Sequence, residues 1–158
     1  MRILILDDNL DVDPKIRMVK VLNERHVLTL AKTVEEAKSR FDPPFDLLLL
    51  DHDLEGVYEK NPDHPNTGLA FVRWLVQEHR NCPRTRSKTF CPQCQYPKAY
   101  SKYGELKGIQ HVGNPQVLLH SQNEWGRVNM RAILERCGFD VEEYPFGPSY
   151  VGFLKRIS

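Results

Sequence analysis

The sequence lacks any apolar run long enough to cross a membrane and carries little net charge. Its 158 residues give a formal net charge of +1, and 41% of them are hydrophobic. A membrane-spanning helix needs about 20 consecutive apolar residues, and the opening MRILILDD reaches charged residues too early for a secretory signal. These absences favour a cytoplasmic protein with a single domain over 1–158, large enough to bury its own core.

Cysteine is scarce, and its four residues are unevenly distributed. Cys82, Cys91 and Cys94 are clustered, whereas Cys137 belongs to an apolar helical pattern and is expected in the core. Because disulfides are rare in cytoplasmic proteins, the clustered cysteines favour metal binding.

Acidic residues are almost absent between His79 and His111. This stretch contains seven lysines and arginines, but its one acid is Glu105. It is rich in Pro and Tyr, has weak periodicity and is too long for an ordinary connection inside a compact domain. We interpret it as a basic insertion at about 79–114, between the third helix and the fourth strand.

The rest of the chain alternates between short apolar runs and segments with helical spacing. The runs predict strands over 3–6, 26–31, 45–51, 117–119 and 141–144. Four helices are predicted to begin just after polar residues, which are Asp13, Thr33, Thr67 and Asn123. A fifth, short helix is predicted over 150–157. This alternation predicts a five-stranded parallel sheet in a three-layer α/β/α sandwich, joined by right-handed crossovers.

Two of these helices carry clear local signals. Thr33 and Glu36 form a capping box, which marks a helix start. Ile16, Val19 and Leu22 recur at roughly helical spacing, so they are expected on one buried face of the first helix.

Polar residues follow three of the predicted strands, at the point where each strand ends. They are Asp7 and Asp8 after the first strand, Asp51, His52 and Asp53 after the third, and His120 and Ser121 after the fourth. The carboxyl ends of parallel strands meet at one edge of the sheet, where such folds bind ligands. Clustered carboxylates repel one another, so Mg²⁺, which prefers oxygen ligands, is the expected partner of Asp7, Asp8 and Asp51. The alternative is that these acids cap helices and face water.

The order of these residues resembles the receiver domains of two-component response regulators, which have a flavodoxin-like fold. Besides the acids and Ser121, the resemblance includes Pro145-Phe146 after the fifth strand. It implies that Asp7 and Asp8 bind Mg²⁺, that Asp51 accepts a phosphoryl group and that Ser121 contacts the phosphate. A receiver also carries lysine just before the Pro-Phe pair, where this sequence has Tyr144.

Further motifs resemble a narrower relative, the cyclic-phosphate processing receiver-like family. They are DHDL at 51–54, Thr67-Gly68, HSQN at 120–123 and PFG at 145–147. This second resemblance implies that the substrate is a cyclic phosphate.

Opening a cyclic phosphodiester requires one group that removes a proton from water and another that protonates the leaving oxygen. His52 and His120 are candidates because imidazole titrates near neutral pH, although strand alternation can turn either ring away from the site. Asp51 would act with the metal, while Ser121 and Asn123 would donate hydrogen bonds to the phosphate. We therefore predict metal-assisted phosphoester hydrolysis on RNA ends or nucleotides. The alternative is a signalling or interaction module with Asp51 as phosphoacceptor, or with a degenerate site.

The insertion contains two pairs of metal-ligand residues. His79 and Cys82 form one pair, and Cys91 and Cys94 form the other in a CPQC turn. This set matches a structural Zn²⁺ site in a zinc-ribbon-like insertion, with His111 as the rival fourth ligand. The alternatives are unligated cysteines or a redox pair.

Aromatic residues interleave with the basic residues of the insertion. They are Phe90, Tyr96, Tyr100 and Tyr103. Cations for phosphates and aromatic faces for unstacked bases are typical of surfaces that bind single-stranded nucleic acid, so RNA is a candidate partner. The alternative is a basic ribbon that docks acidic proteins or favours solubility.

Overall fold

The structure is a computed structural model, which describes residues 1–13, 15–42, 45–54, 64–80, 115–137 and 139–144; for 78–80 it describes the backbone only. The strands are β1 Arg2–Leu6, β2 Val27–Ala31, β3 Leu47–Leu50, β4 Gln116–Leu119 and β5 Val141–Glu143. The helices are α1 Lys15–Asn23, α2 Val34–Arg40, α3 Gly68–Arg80 and α4 Glu124–Arg136. The predicted alternation is confirmed across these elements. The predicted last helix and nearly all of the predicted insertion lie outside the described residues.

The five strands form one parallel sheet in the order β2-β1-β3-β4-β5. Leu6 pairs with Leu50 and Leu50 with Leu119, so β1, β3 and β4 end in register. The backbone bonds continue one step further, since the Asp51 N–H donates to the Leu6 carbonyl and the His120 N–H to the Leu50 carbonyl. This register places the residues after the three strands side by side.

Alternate side chains of the central strands enter two separate apolar cores. The first core contains Ile3, Ile5, Leu47, Leu49 and Leu118, and the residues of α1 that it buries are Met18 and Leu22. The second contains Leu4, Leu6, Leu48, Leu50, Val117 and Leu119, packed against α2, α3 and α4. Burying each leucine contributes about 1.5–3 kcal/mol, so the four leucines of β3 resist any slip in register.

Side-chain caps define where three helices begin. The Thr33 hydroxyl accepts from the Glu36 N–H at 3.1 Å, and the Asn123 side chain accepts from the Gly126 N–H at 2.8 Å. The Thr67 hydroxyl accepts from the Ala70 N–H at 3.2 Å. These bonds satisfy N–H groups that the first turn of a helix leaves without partners.

The predicted buried face of α1 is wrong in part. Leu22 is buried as expected and Val19 is partly buried, but Ile16 is 50% exposed while Met18 is buried. The helix packs Met18 rather than Ile16 into the first core, where a flexible, unbranched side chain fills an irregular gap readily. Cys137, at the end of α4, is buried in the second core as predicted.

Candidate functional site

Asp7, Asp51 and His120 meet at the carboxyl ends of β1, β3 and β4. One potential ligand atom of each lies within 4.8 Å of the others. Asp7 and His120 are fully buried, and Asp51 is 8% exposed. The alternation that sends Ile3, Ile5, Leu49 and Leu118 towards α1 also sends these three polar side chains to that side.

Lys15, the first residue of α1, offsets part of the negative charge of this cluster. Its Nζ lies 2.5 Å from Asp7 Oδ2 and 3.5 Å from Asp51 Oδ2, and its side chain is 12% exposed. We did not predict Lys15 from the sequence. A lysine at the start of a helix opposes the helix dipole, and the first turn of α1 contains no acid. That unfavourable placement is the signal that would have indicated a nearby anionic partner.

Burial lowers the pKa of His120. This desolvation is the largest influence; Asp51 and Asp7 raise the pKa, and Lys15 lowers it further. His120 Nδ1 lies 3.6 Å from Asp7 Oδ2. The net direction keeps the imidazole neutral near pH 7, in the form that accepts a proton or binds a metal ion.

An open cleft of about 320 Å³ lies over the cluster on the α1 side. The described residues that line it are Asp8, Asn9, Val12, Asp13, Lys15, Asp51, Asp53, His120, Ser121 and Gln122. Within it, Asp8 Oδ1 accepts from the Asn9 side-chain amide at 2.6 Å. Ser121 Oγ accepts from the Asn123 N–H at 3.2 Å, which leaves the hydroxyl proton available to an acceptor. The described residues of the cleft thus combine carboxylates with one ammonium, one imidazole and one hydroxyl.

His52 lies on the opposite side of the sheet edge. Its Nδ1 lies 2.7 Å from Asp53 Oδ1, to which the Asn123 amide also donates at 3.0 Å. Because the Asn123 carbonyl oxygen is engaged by the Gly126 N–H, its amide nitrogen faces His52 Nδ1 at 3.2 Å. The arrangement is satisfied when Nδ1 carries the proton and donates to Asp53. His52 Nε2 is buried and makes no hydrogen bond to any residue that the structure describes.

The His52 ring packs directly on the first turn of α4. A Cβ atom at Gly126 would lie 2.4 Å from His52 Cγ, so glycine is needed for this approach. The Trp125 ring meets the imidazole edge to face, with centroids 6.3 Å apart. Since β3 continues its alternation, Leu48, Leu50 and His52 all face this side.

The structure therefore divides the residues that the sequence suggested. Asp8, Asp51, His120 and Ser121 line the cleft, with Asp7 buried beneath it. His52 and Asn123 do not line the cleft; their side chains bind Asp53. The roles assigned to these residues remain predictions. The sequence placed Asp53 at this edge without assigning it a role; in the structure it joins the two groups, because it lines the cleft and binds His52.

The predicted zinc ligands fall in a different part of the chain. His79 lies in α3, where its side chain is not described, and Cys82, Cys91, Cys94 and the rival His111 lie outside the described residues. Tyr144, at the position where receivers carry lysine, is partly buried against the first core.

The sheet order and the acids after β1 and β3 define a receiver-type domain. Three solved structures are similar over 99% of this chain: the non-phosphorylated HemR receiver domain from Leptospira biflexa, a sensor protein from Polaromonas sp. JS666 and an adenylate cyclase from Rhodopirellula baltica. The HemR domain is 18% identical, is covered over 92% of its own chain and has a TM-score of 0.50. For the sensor protein the values are 13%, 98% and 0.51. For the adenylate cyclase they are 16%, 85% and 0.50. At these identities the likeness shows the fold alone.

The model of one family, described as the cyclic-phosphate processing receiver domain, matches residues 2–102. The chain belongs to that family, as its DHDL and Thr67-Gly68 motifs suggested. No curated protein gives a significant match. None of the helices among the described residues has the length and apolar character required to cross a bilayer.

Proposed function

We propose that the cleft is a receiver-type phosphoryl site in which Asp51 is the phosphoacceptor. The observation that carries this proposal is the position of the Asp51 carboxylate. It lines the open cleft at the end of β3, in register with Asp7 and His120 and 3.5 Å from the Lys15 ammonium. A carboxylate beside an ammonium group and hydrogen-bond donors suits phosphoryl transfer, which depends on positioning and charge neutralisation.

The donor set fits a divalent cation. Asp7 and Asp51 offer carboxylate oxygens and His120 offers a neutral ring nitrogen, all within 4.8 Å. Carboxylates suit Mg²⁺ and Mn²⁺. Such a cation would offset negative charge on the phosphoryl oxygens. It would also relieve the repulsion between the two buried carboxylates.

The residues of the cleft then have defined tasks. An Asp51 oxygen attacks the phosphorus of a small phosphodonor, and the bond from phosphorus to the leaving group breaks, with the electron pair departing on that group. The Ser121 hydroxyl donates to a phosphoryl oxygen, since its own oxygen already accepts from Asn123. Neutral His120 is placed to hold the water that later hydrolyses the acyl phosphate.

The test uses acetyl phosphate with Mg²⁺ and intact-mass spectrometry. We expect the wild type to gain the mass of one phosphoryl group and Asp51→Asn to gain none. Asp53→Asn is the matched control, because it removes a neighbouring cleft carboxylate and should still be labelled. An unlabelled wild type, or a labelled Asp51→Asn, would refute the proposal.

A second candidate is hydrolysis of a cyclic phosphodiester, favoured by the family description and by His120. Neutral His120 in the cleft can take a proton from a water molecule while the oxygen of that water attacks the phosphorus. The P–O bond in the ring of the cyclic phosphate then breaks, and the leaving oxygen takes a proton from solvent. The test is ³¹P NMR of an RNA that ends in a 2',3'-cyclic phosphate. Loss of the cyclic resonance with wild type but not with His120→Asn would support it, and an unchanged wild-type spectrum would exclude it for this substrate.

For the insertion, we propose structural Zn²⁺ held by Cys82, Cys91 and Cys94 with His79 or His111, and RNA as its partner. The support is the ligand spacing and the interleaved basic and aromatic residues of the sequence. One zinc per chain, lost in a Cys91→Ser and Cys94→Ser variant, would agree with the first part. RNA binding that is insensitive to salt would contradict the second.

A further inference from the structure

The sequence lacks the lysine that receivers carry just before their Pro-Phe pair. Tyr144 occupies that position, and its ring, which carries no positive charge, is partly buried against the first core. A phosphoryl group brings further negative charge to a cluster that already contains Asp7 and Asp51. The proposed function therefore requires a cation from another element.

Among the described residues that line the cleft, Lys15 is the one lysine or arginine. The nearby Arg127 is engaged elsewhere: its Nε donates to Glu143 at 3.2 Å and another guanidinium nitrogen donates to the Ser121 carbonyl. Whereas the missing lysine would follow β5, Lys15 comes from the start of α1. Its ammonium is 3.5 Å from Asp51 Oδ2, so a phosphoryl group on that carboxylate would carry its oxygens within reach of the flexible lysine stem.

We propose that Lys15 is the phosphate-binding cation of this cleft, in place of the lysine that is missing just after β5. This inference rests on the proposed function and assigns its anion contact. Lys15 also contacts Asp7 Oδ2 at 2.5 Å, a carboxylate that the divalent cation would use. The ammonium and the metal ion therefore compete for the same two carboxylates. When the metal neutralises Asp7, the ammonium is released to bind the phosphoryl oxygens.

This exchange has a signature that a purely structural ion pair lacks. Removing the ammonium should strengthen metal binding, because one like charge leaves the site. It should weaken binding of a phosphoryl group, because its counter-charge is lost. A counter-ion that only stabilises the fold would, when removed, weaken both.

The experiment compares Lys15→Met with Lys20→Met, which removes the same charge from an exposed position on the same helix. Titration calorimetry with Mg²⁺ alone should show about tenfold tighter binding for Lys15→Met. Beryllofluoride, a stable phosphoryl mimic, should bind about tenfold more weakly at saturating Mg²⁺. Lys20→Met should match the wild type in both titrations, and Lys15→Arg should recover part of the beryllofluoride affinity.

The outcomes separate the two proposals. If wild type and Lys15→Met bind beryllofluoride equally, Lys15 is not the phosphate cation, although the phosphoryl site stands. If Lys15→Met weakens Mg²⁺ and beryllofluoride together, Lys15 is only a structural counter-ion and the inference is overturned. If the wild type itself binds no beryllofluoride with Mg²⁺ present, the proposed function fails, and this inference fails with it.

Discussion

His120 and His52 follow neighbouring strands and are both buried, yet their surroundings differ completely. His120 lies beside Asp7 and Asp51 on the α1 side, where it lines the cleft. His52 lies against Gly126 on the α4 side and is bound to Asp53. A histidine at the end of a parallel strand is therefore not a catalytic candidate by position alone. The direction of its side chain decides whether it faces the cleft or packs under a helix.

The two sides of the sheet edge are joined through the backbone of β3. The His52 N–H donates to Asp51 Oδ1 at 2.7 Å, while its ring contacts the first turn of α4. Asp53 lines the cleft and also binds His52 and Asn123, the N-cap of α4. The residue next to Asp51 therefore packs against α4, so a change at the Asp51 carboxylate acts close to that contact.

Gly68→Ala should have the largest effect, because it disturbs both sides at once. A Cβ atom at Gly68 would lie 2.1 Å from the Asp51 carbonyl oxygen and 3.0 Å from His52 Cα, and these are backbone atoms that cannot rotate away. We expect a loss of about 3 kcal/mol or more in unfolding free energy, the range of severe overpacking. Urea denaturation measures it. A loss below about 1 kcal/mol, the usual surface effect, would mean that the helix and strand separate more easily than the structure indicates.

Matched substitutions of the two histidines should separate their functions. If the cyclic-phosphate chemistry operates, His120→Asn should lower turnover by about 100-fold, the contribution of a general base. His52→Asn should change turnover only a few-fold, since its ring does not line the cleft. The ³¹P assay on the cyclic substrate gives both rates. Equal losses in the two variants would contradict the separation.

Gly126→Ala should destabilise the α4 side through a single contact. The new methyl group would lie 2.4 Å from His52 Cγ and 2.5 Å from Cδ2, so we expect a loss of about 1–3 kcal/mol in unfolding free energy. Adding His52→Ala removes both atoms and should recover part of the loss. The double-mutant cycle measures this coupling. Additive effects of the two changes would show that the ring does not cause the clash.

The pH dependence should report His120 on the cleft side. Its folded-state pKa is lowered from an ordinary 6.5, so the unfolded chain takes up the proton first as pH falls. Above pH 6.5, His120 should therefore not affect the unfolding free energy. Below pH 6.5 the unfolding free energy should decrease, by at most about 1.4 kcal/mol per pH unit. Denaturation in EDTA should show a shallower decrease for His120→Asn. Parallel curves would mean that His120 titrates normally in the folded protein.

Much of the fold could be predicted because each element carries a local signal. The four leucines before Asp51 form β3, and the Thr33 and Asn123 caps begin their helices. The observed strand ends differ from the predicted ones by one or two residues, because pairing with a neighbouring strand determines where each strand stops. The buried face of α1 was partly wrong because apolar spacing could not distinguish Ile16 from Met18, and only the shape of the core does so.

The sequence by itself determined which residue types stand at the strand ends, and parallel alternation made Asp7, Asp51 and His120 neighbours. It also showed that Tyr144 replaces a lysine. Strand alternation also turned His52 away from Asp51, but tertiary structure alone decided that α4 covers His52 and that Lys15 reaches two carboxylates from the start of α1. The physical reason is that a strand residue keeps its side through local geometry, whereas a contact between elements depends on how a helix is rotated and packed against the sheet.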